Sequence, residues 1–340
     1  MALAFVTGDE VYSYRLDPGT GGLEKLQRTD TGAPESFCAL GPAGEYLYTV
    51  RGGEGLAAAY AVGDDGELDR VNSQPTEGEG PCHCAVDATG SYLLVAHYNG
   101  GSVATLPIRD DGGLGGVADF VAHEGSGPNE ERQEAPHPHS INPGPENRLA
   151  YVPDLGTDEI RVYDLDLDGG RLRPADPPAV ELAPGAGPRH FDVHPTGEYA
   201  YVINELADTI TAFERDGEGR LAPTGTVSTL PDGFEGQTKT ADIHVHPSGE
   251  FLYGSNRGHD SIAVFDISTP ASPERVAIEP TRGEWPRNFA LGPDGEYLFV
   301  ENRDTDDVTT FEVDPDTGGI DPNGEVADCG APICMTFLAE

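Results

Sequence analysis

A turn-plus-strand phrase recurs along the chain at intervals of 46 to 57 residues: GEYLYT from residue 44, GSYLLV from 90, NRLAYV from 147, GEYAYV from 197, GEFLYG from 249 and GEYLFV from 295. Each copy is preceded by a short strand that usually opens on proline (PESFCAL, PCHCAVD, PHSINPG, PRHFDVH, TADIHVH, PRNFALG). Each is followed by an alternating strand (LAAAYAV, SVATLPI, EIRVYDL, TITAFER, SIAVFDI, DVTTFEV), and a weaker fourth strand follows most of these. Apolar residues alternate with a period of two, and Gly, Pro and Asp punctuate the turns, so the units are antiparallel meanders rather than helices.

Tandem four-stranded units of this length predict an all-β chain folded as a β-propeller. Six units are complete. The segment AFVTGDEVYSY (4–14) matches the second and third strands of a unit but lacks a first, and PICMTFL (332–338) reads as an orphan first strand. The C-terminal strand is therefore expected to join the N-terminal blade, making seven blades and removing an open sheet edge. Residues 1–340 are expected to form one domain without a linker. The longest irregular stretch, HEGSGPNEERQEAP (123–136), stands just before His137, and loops of that length in a compact fold usually serve function.

The charge balance narrows the possible partners. The 340 residues carry 60 acidic against 20 basic side chains, a formal net charge of −40, and only Lys25 and Lys239 are lysines. Nucleic acid needs a basic footprint that is missing, and an anionic membrane surface would repel the chain. No apolar run approaches a bilayer span, and MALAFVTGDEVYSYRLD has neither the basic start nor the apolar stretch of a secretory signal. The acidic residues are scattered through turns such as GDDGELD (63–69) and DPDTGG (314–319) rather than forming disordered blocks. Such a surface looks like that of a cytoplasmic protein from a salt-accumulating halophile, where repulsion is screened within about 3 Å at molar salt. The five cysteines form no CxxC pair, and in a strand Cys82 and Cys84 share a face that His83 does not, so no metal site is expected and reduced core thiols are.

Candidate functional residues emerge where the repeat breaks its own pattern. The first strand of each blade lines the axis of a propeller, and its start meets the end of the second strand at one face. After the opening proline the blades carry Glu35, Cys82, His139, Arg189, Ala241, Arg287 and Ile333, then Ser36, His83, Ser140, His190, Asp242, Asn288 and Cys334. The ends of the second strands add Arg51, His97 and Tyr98, Asp154, Asn204 and Glu205, Asn256 and Arg257, and Asn302 and Arg303. Histidines, carboxylates and four of the 18 arginines (189, 257, 287 and 303) are thus expected at one mouth. His194 and His246 belong to the HPxGE turn and are expected to be structural, as are Asn204, Asn256 and Asn302, which recur at one repeat position. No nucleophile elbow, phosphate loop or dinucleotide fingerprint is present.

The motifs APHPHS (135–140), YVPDLGTDEIRVY (151–163), GAGPRHFDVHPTGEYAYVINEL (185–206), IHVHPSGEFLYGSNRGHDSIAVF (243–265) and WPRNFALGPDGEYLFVENRDTDDV (285–308) resemble the lactonase family of seven-bladed propellers. That family includes bacterial 6-phosphogluconolactonases and the fungal carboxy-cis,cis-muconate cyclase. The resemblance implies a catalytic set of His139, Arg189 and Glu205, with Arg257 as a further arginine, and runs from the second blade to the last. The sequence departs from the family in a shortened first blade and in ENR (301–303), where relatives often carry a neutral NQ. Substrate contacts are expected from Arg257, Arg287, His83, Tyr98, Asp154 and His190. The implied reaction is hydrolysis of an anionic sugar lactone, most simply 6-phosphogluconolactone, by a monomer or dimer with no cofactor. Arg189 and Arg257 would hold the anion, an arginine or His139 would stabilise the oxyanion, and Glu205 or His139 would take the proton of the attacking water. A lactonising cycloisomerase and a non-catalytic binding propeller are the rival expectations.

Overall fold

The computed structural model describes residues 2–339, in which every regular element is a strand and the strands form seven four-stranded sheets. In each sheet the order follows the chain, a simple up-and-down meander. One sheet is the exception. There Cys334–Leu338 lies outside Leu3–Thr7 and pairs with it antiparallel, Cys334 opposite Thr7 and Leu338 opposite Leu3. The strand expected to close the N-terminal blade does so, and the seven sheets are the blades of a seven-bladed β-propeller.

The chain divides into two compact units, Met1–Arg28 with His190–Glu340, and Thr29–Arg189. Each has its own apolar packing between neighbouring sheets. In the first, Tyr253, Val264, Phe289, Val300 and Phe311 interlock; in the second, Tyr48, Val50, Leu93, Val95 and Leu106 do so. All but Phe289, which lies on the first strand Pro286–Leu291, belong to the alternating second and third strands, as the period-two pattern requires.

The recurring phrase has a backbone reason. Gly44, Gly90, Gly197, Gly249 and Gly295 all have φ between 72° and 78°, a region closed to most side chains. At the same repeat position NRLAYV carries Asn147, with φ 53°, and asparagine is the side-chain residue that tolerates this region best. The HPxGE histidines lock the same turns. His194 Nε2 lies 2.8 Å from the carbonyl of Gly249, and His246 Nε2 lies 3.1 Å from that of Gly295, so each histidine ties its turn to the next blade. The recurring asparagines staple hairpins: Asn204 donates to the hydroxyls of Thr209 and Thr211, Asn256 to that of Ser261, and Asn302 to Asp307 and Thr309.

The second residue of each innermost strand forms a polar girdle within each unit. In one, His83 Nδ1 accepts from the backbone N–H of Ile141, and Ser140 Oγ donates to the carbonyl of Arg189. In the other, His190 bonds Asp242, Asn288 donates to Asp242, and Asn288 Oδ1 accepts from the N–H of Met335. Removing residues 332–340 should expose the edge of Leu3–Thr7 and lower the melting temperature by more than about 10 °C, with aggregation on heating. Differential scanning calorimetry checks this, and an unchanged transition would show that the strand is dispensable.

Candidate active site

In the unit Thr29–Arg189, the segment YVPDLGTDE places two aspartates at a hairpin turn: Asp154 ends the strand Leu149–Asp154, and Asp158 immediately precedes the strand Glu159–Asp166. The Asp154 carboxylate is fully buried; Oδ1 accepts from the N–H groups of His137 (2.7 Å) and Gly156 (3.0 Å), and Oδ2 lies 2.6 Å from His123 Nδ1. Tyr163 completes the chain with its hydroxyl 2.9 Å from His123 Nε2. Asp154 thus sets the entry to PHPHS, the segment that carries His139. Above it the Tyr98 ring stacks on His137 at 4.5 Å and meets His139 edge-on at 5.1 Å. His139 itself is buried, its N–H bonded to the carbonyl of Pro153. Arg189, also buried, ends this unit.

In the other unit, Glu205 and Arg257 form a buried ion pair, Oε2 to Nη2 at 2.7 Å. The guanidinium is aimed by two carbonyls, those of Lys239 (3.1 Å to Nε) and Thr240 (2.7 Å to Nη2). Its carbon stands 5.6 Å from the centre of the Trp285 ring, whose other arginine neighbour, Arg303, stands at 5.3 Å. A second charged cluster centres on Asp242, with His190 Nδ1 at 2.6 Å and His244 Nε2 at 3.0 Å. Burial pushes the Asp242 carboxyl up, but the two imidazoles outweigh it and hold the group well below its ordinary 3.8. Burial pulls His244 down in turn, but Asp242 beside it raises the imidazole to about 9. Glu301 is the opposite case: fully buried, with neither carboxyl oxygen hydrogen-bonded among the described residues, it is driven well above its ordinary value by burial. Among the described residues no group of three or more His, Cys, Asp or Glu side chains converges as a metal site.

A family model for the seven-bladed β-propeller lactonases matches residues 4–337. The chain belongs to the lactonase family of seven-bladed β-propellers. It is 35% identical to the 6-phosphogluconolactonase of Bacillus subtilis over 336 residues, covering 96% of this chain and 94% of the relative. It is also 35% identical to the 6-phosphogluconolactonase of Formosa agariphila over 298 residues, covering 84% and 82% of the two chains. Among solved structures, the periplasmic gluconolactonase of Pseudomonas aeruginosa superposes with a TM-score of 0.93 at 29% identity, over 99% of each chain.

The residues expected from the sequence take several different parts in this lactonase. Glu205 and Arg257 are brought together, as are Tyr98 and His139. Asp154, expected to touch substrate, has its carboxylate taken up by His123 and two backbone N–H groups, and His83 and His190 bond neighbouring blades through Nδ1. Arg287 is half-buried on Pro286–Leu291. In ENR the added cation is met locally, because Arg303 Nε donates to Asp304 at 2.7 Å. Sequence reasoning missed the Asp154–His123 pair and Arg132, whose Nη2 donates to the Tyr98 hydroxyl at 3.1 Å. The only signal for either was the insertion at 123–136 that bears them.

The His244 shift sets a pH dependence. Its folded pKa is raised, so its contribution to stability is complete below 6.5 and is lost as pH rises through about 9. Asp242, being lowered, contributes above 3.8 and fails only in strong acid. The melting temperature of the wild type should therefore fall between pH 6.5 and about 9 more steeply than that of His244→Gln. Parallel slopes would show that the imidazolium is not favoured by folding.

Proposed function

We propose that the chain hydrolyses 6-phosphogluconolactone, or a closely similar anionic sugar lactone, by direct attack of water on the lactone carbonyl without help from a metal. The buried Glu205–Arg257 pair carries this reading, supported by the family and by the names of the 6-phosphogluconolactonase relatives. A guanidinium already fixed by a carboxylate and two carbonyls presents its remaining N–H groups in a set direction, which is what stabilising a developing negative charge requires.

The reaction needs three things from the protein. Arg189 and Arg257 serve the anionic group of the substrate and the oxyanion that forms as water adds to the carbonyl. Glu205 or His139 accepts the proton of the attacking water. The tetrahedral intermediate then collapses, the bond from the carbonyl carbon to the ring oxygen breaks, and that oxygen leaves as a hydroxyl after taking up a proton. The product is the open-chain acid. The work is done in a salt-rich cytoplasm, for which the acidic surface is the solvation device.

Glu205→Ala would leave Arg257 buried beside an empty space at a cost of about 3–5 kcal/mol, so the informative variant is Glu205→Gln, which keeps an acceptor for the guanidinium. Both Glu205→Gln and Arg189→Ala should lose at least about a hundredfold in turnover on 6-phosphogluconolactone in molar potassium chloride, with the thermal transition retained. Full activity in both variants would overturn the assignment of these residues.

A further inference from the structure

We propose that Arg132, held in place by the insertion 123–136, is the residue with which this lactonase distinguishes a phosphorylated lactone from an unphosphorylated one. The inference rests on the lactonase reading above and adds the group that reads the phosphate. It begins with the way the insertion is fastened. A loop of this length has many conformations to lose, and an exposed polar one would ordinarily stay mobile. This one is gripped at both ends by the two aspartates of a single hairpin turn. Asp154 holds His123 at its start and the N–H of His137 just after its end. Asp158 holds Gln133: the fully buried amide donates to Asp158 Oδ1 at 2.7 Å and to the carbonyl of Leu155 at 2.9 Å, while its oxygen accepts from the N–H of Asn129 at 3.1 Å.

Asp158 does more than anchor the insertion. Its carboxylate also accepts from the N–H groups of Gly185 (2.6 Å) and Gly187 (2.8 Å), in the segment GAGPR that leads into Arg189. One buried carboxylate therefore sets the position of both the Arg132 loop and the Arg189 segment. The packing at this point leaves no slack: a Cβ added to Gly156 would lie 1.9 Å from the carbonyl oxygen of Ala135. Side-chain amides and glycines are conserving space here for a backbone that must stand in one place.

What that arrangement presents is a guanidinium. Arg132 adjoins the clamped Gln133, is half-buried, and donates from Nη2 to the hydroxyl of Tyr98. The same Tyr98 ring meets His139 edge-on, with centroids 5.1 Å apart. Arg132 and His139 thus both touch one tyrosine, the cation at its hydroxyl. In 6-phosphogluconolactone the phosphate hangs from the exocyclic carbon, whose ring neighbour is separated from the carbonyl carbon by the ring oxygen alone, so the two groups lie toward the same end of the sugar. A lactone bound against Tyr98 with its carbonyl at His139 therefore brings its phosphate to the other group on that tyrosine, Arg132. The planar fork suits a phosphate dianion bidentately, and a lactone without phosphate lacks the group that this fork matches.

The test compares steady-state hydrolysis of 6-phosphogluconolactone and unphosphorylated δ-gluconolactone by the full-length protein, Arg132→Ala, Arg132→Lys and Gln133→Ala. The wild type should prefer the phosphorylated lactone. In Arg132→Ala that preference in kcat/KM should fall at least about tenfold, with the change in KM rather than kcat, as expected when binding of a remote group is removed. Arg132→Lys should recover only part of it, because the point charge lacks the fork. Gln133→Ala, which frees the loop but keeps the arginine, should raise KM for the phosphorylated substrate in the same direction. A preference unchanged in Arg132→Ala overturns the inference while leaving the lactonase reading standing. A wild type that hydrolyses neither lactone overturns both.

Discussion

A chain built entirely of strands must satisfy its backbone through lateral neighbours, and every sheet it makes has two edges that offer unpaired N–H and C=O groups. In this molecule the remaining structure follows from how that constraint is met. Seven short meanders repeat one hairpin grammar, and the C-terminal strand Cys334–Leu338 completes the N-terminal blade so that the chain's two ends are hydrogen-bonded to each other. Tight turns then become the critical points, which is why the turn before the second strand carries glycine, or asparagine once, at its positive-φ position, and why the HPxGE histidines reach the carbonyl of the following turn. A fold fixed this way leaves the strand ends and the loops between them as places where side chains differ from blade to blade.

Those differences are mostly charged, and the fold handles each in its own way. Asp154 and Asp158 are satisfied by backbone N–H groups and by His123 and Gln133, so their charge is used to hold loops. Asp242 is neutralised by His190 and His244 and joins neighbouring blades. Glu301, whose carboxyl oxygens have no hydrogen bond among the described residues, is pushed by burial toward its neutral form. Glu205 pairs with Arg257, and the guanidinium keeps a fixed direction. Among these buried acids, the pairing of carboxylate with guanidinium is the arrangement suited to meeting an anionic substrate, whereas the others are suited to holding the frame.

The sequence made the architecture legible because hydrogen-bonded turns recur at a countable interval. The orphan strand PICMTFL was recognisable for the same reason, since a repeat with a missing member announces where the member must come from. Charge partners were harder to read. Asp154 stands at the column where Asn204, Asn256 and Asn302 stand in other blades, and nothing in its neighbours along the chain tells that His123, 31 residues earlier, takes its carboxylate. Arg132 was hidden for a related reason: it lies in an insertion outside the repeat, where column reasoning has no counterpart to compare. The histidines of the second column looked like site residues because histidine is versatile, yet His83 and His190 spend Nδ1 on adjacent blades. Periodicity reveals what is shared between blades, and long-range pairing decides what each exception does.

Opening of the lactone carbonyl by water is tested most directly by isotope transfer. Turnover of 6-phosphogluconolactone in ¹⁸O-labelled water, at enzyme levels where the catalysed rate far exceeds spontaneous opening, should place a single labelled oxygen in the carboxylate of the product and none in the hydroxyl released from the ring. Product formed by the enzyme without label, as an isomerisation by proton transfer to carbon would give, contradicts the account.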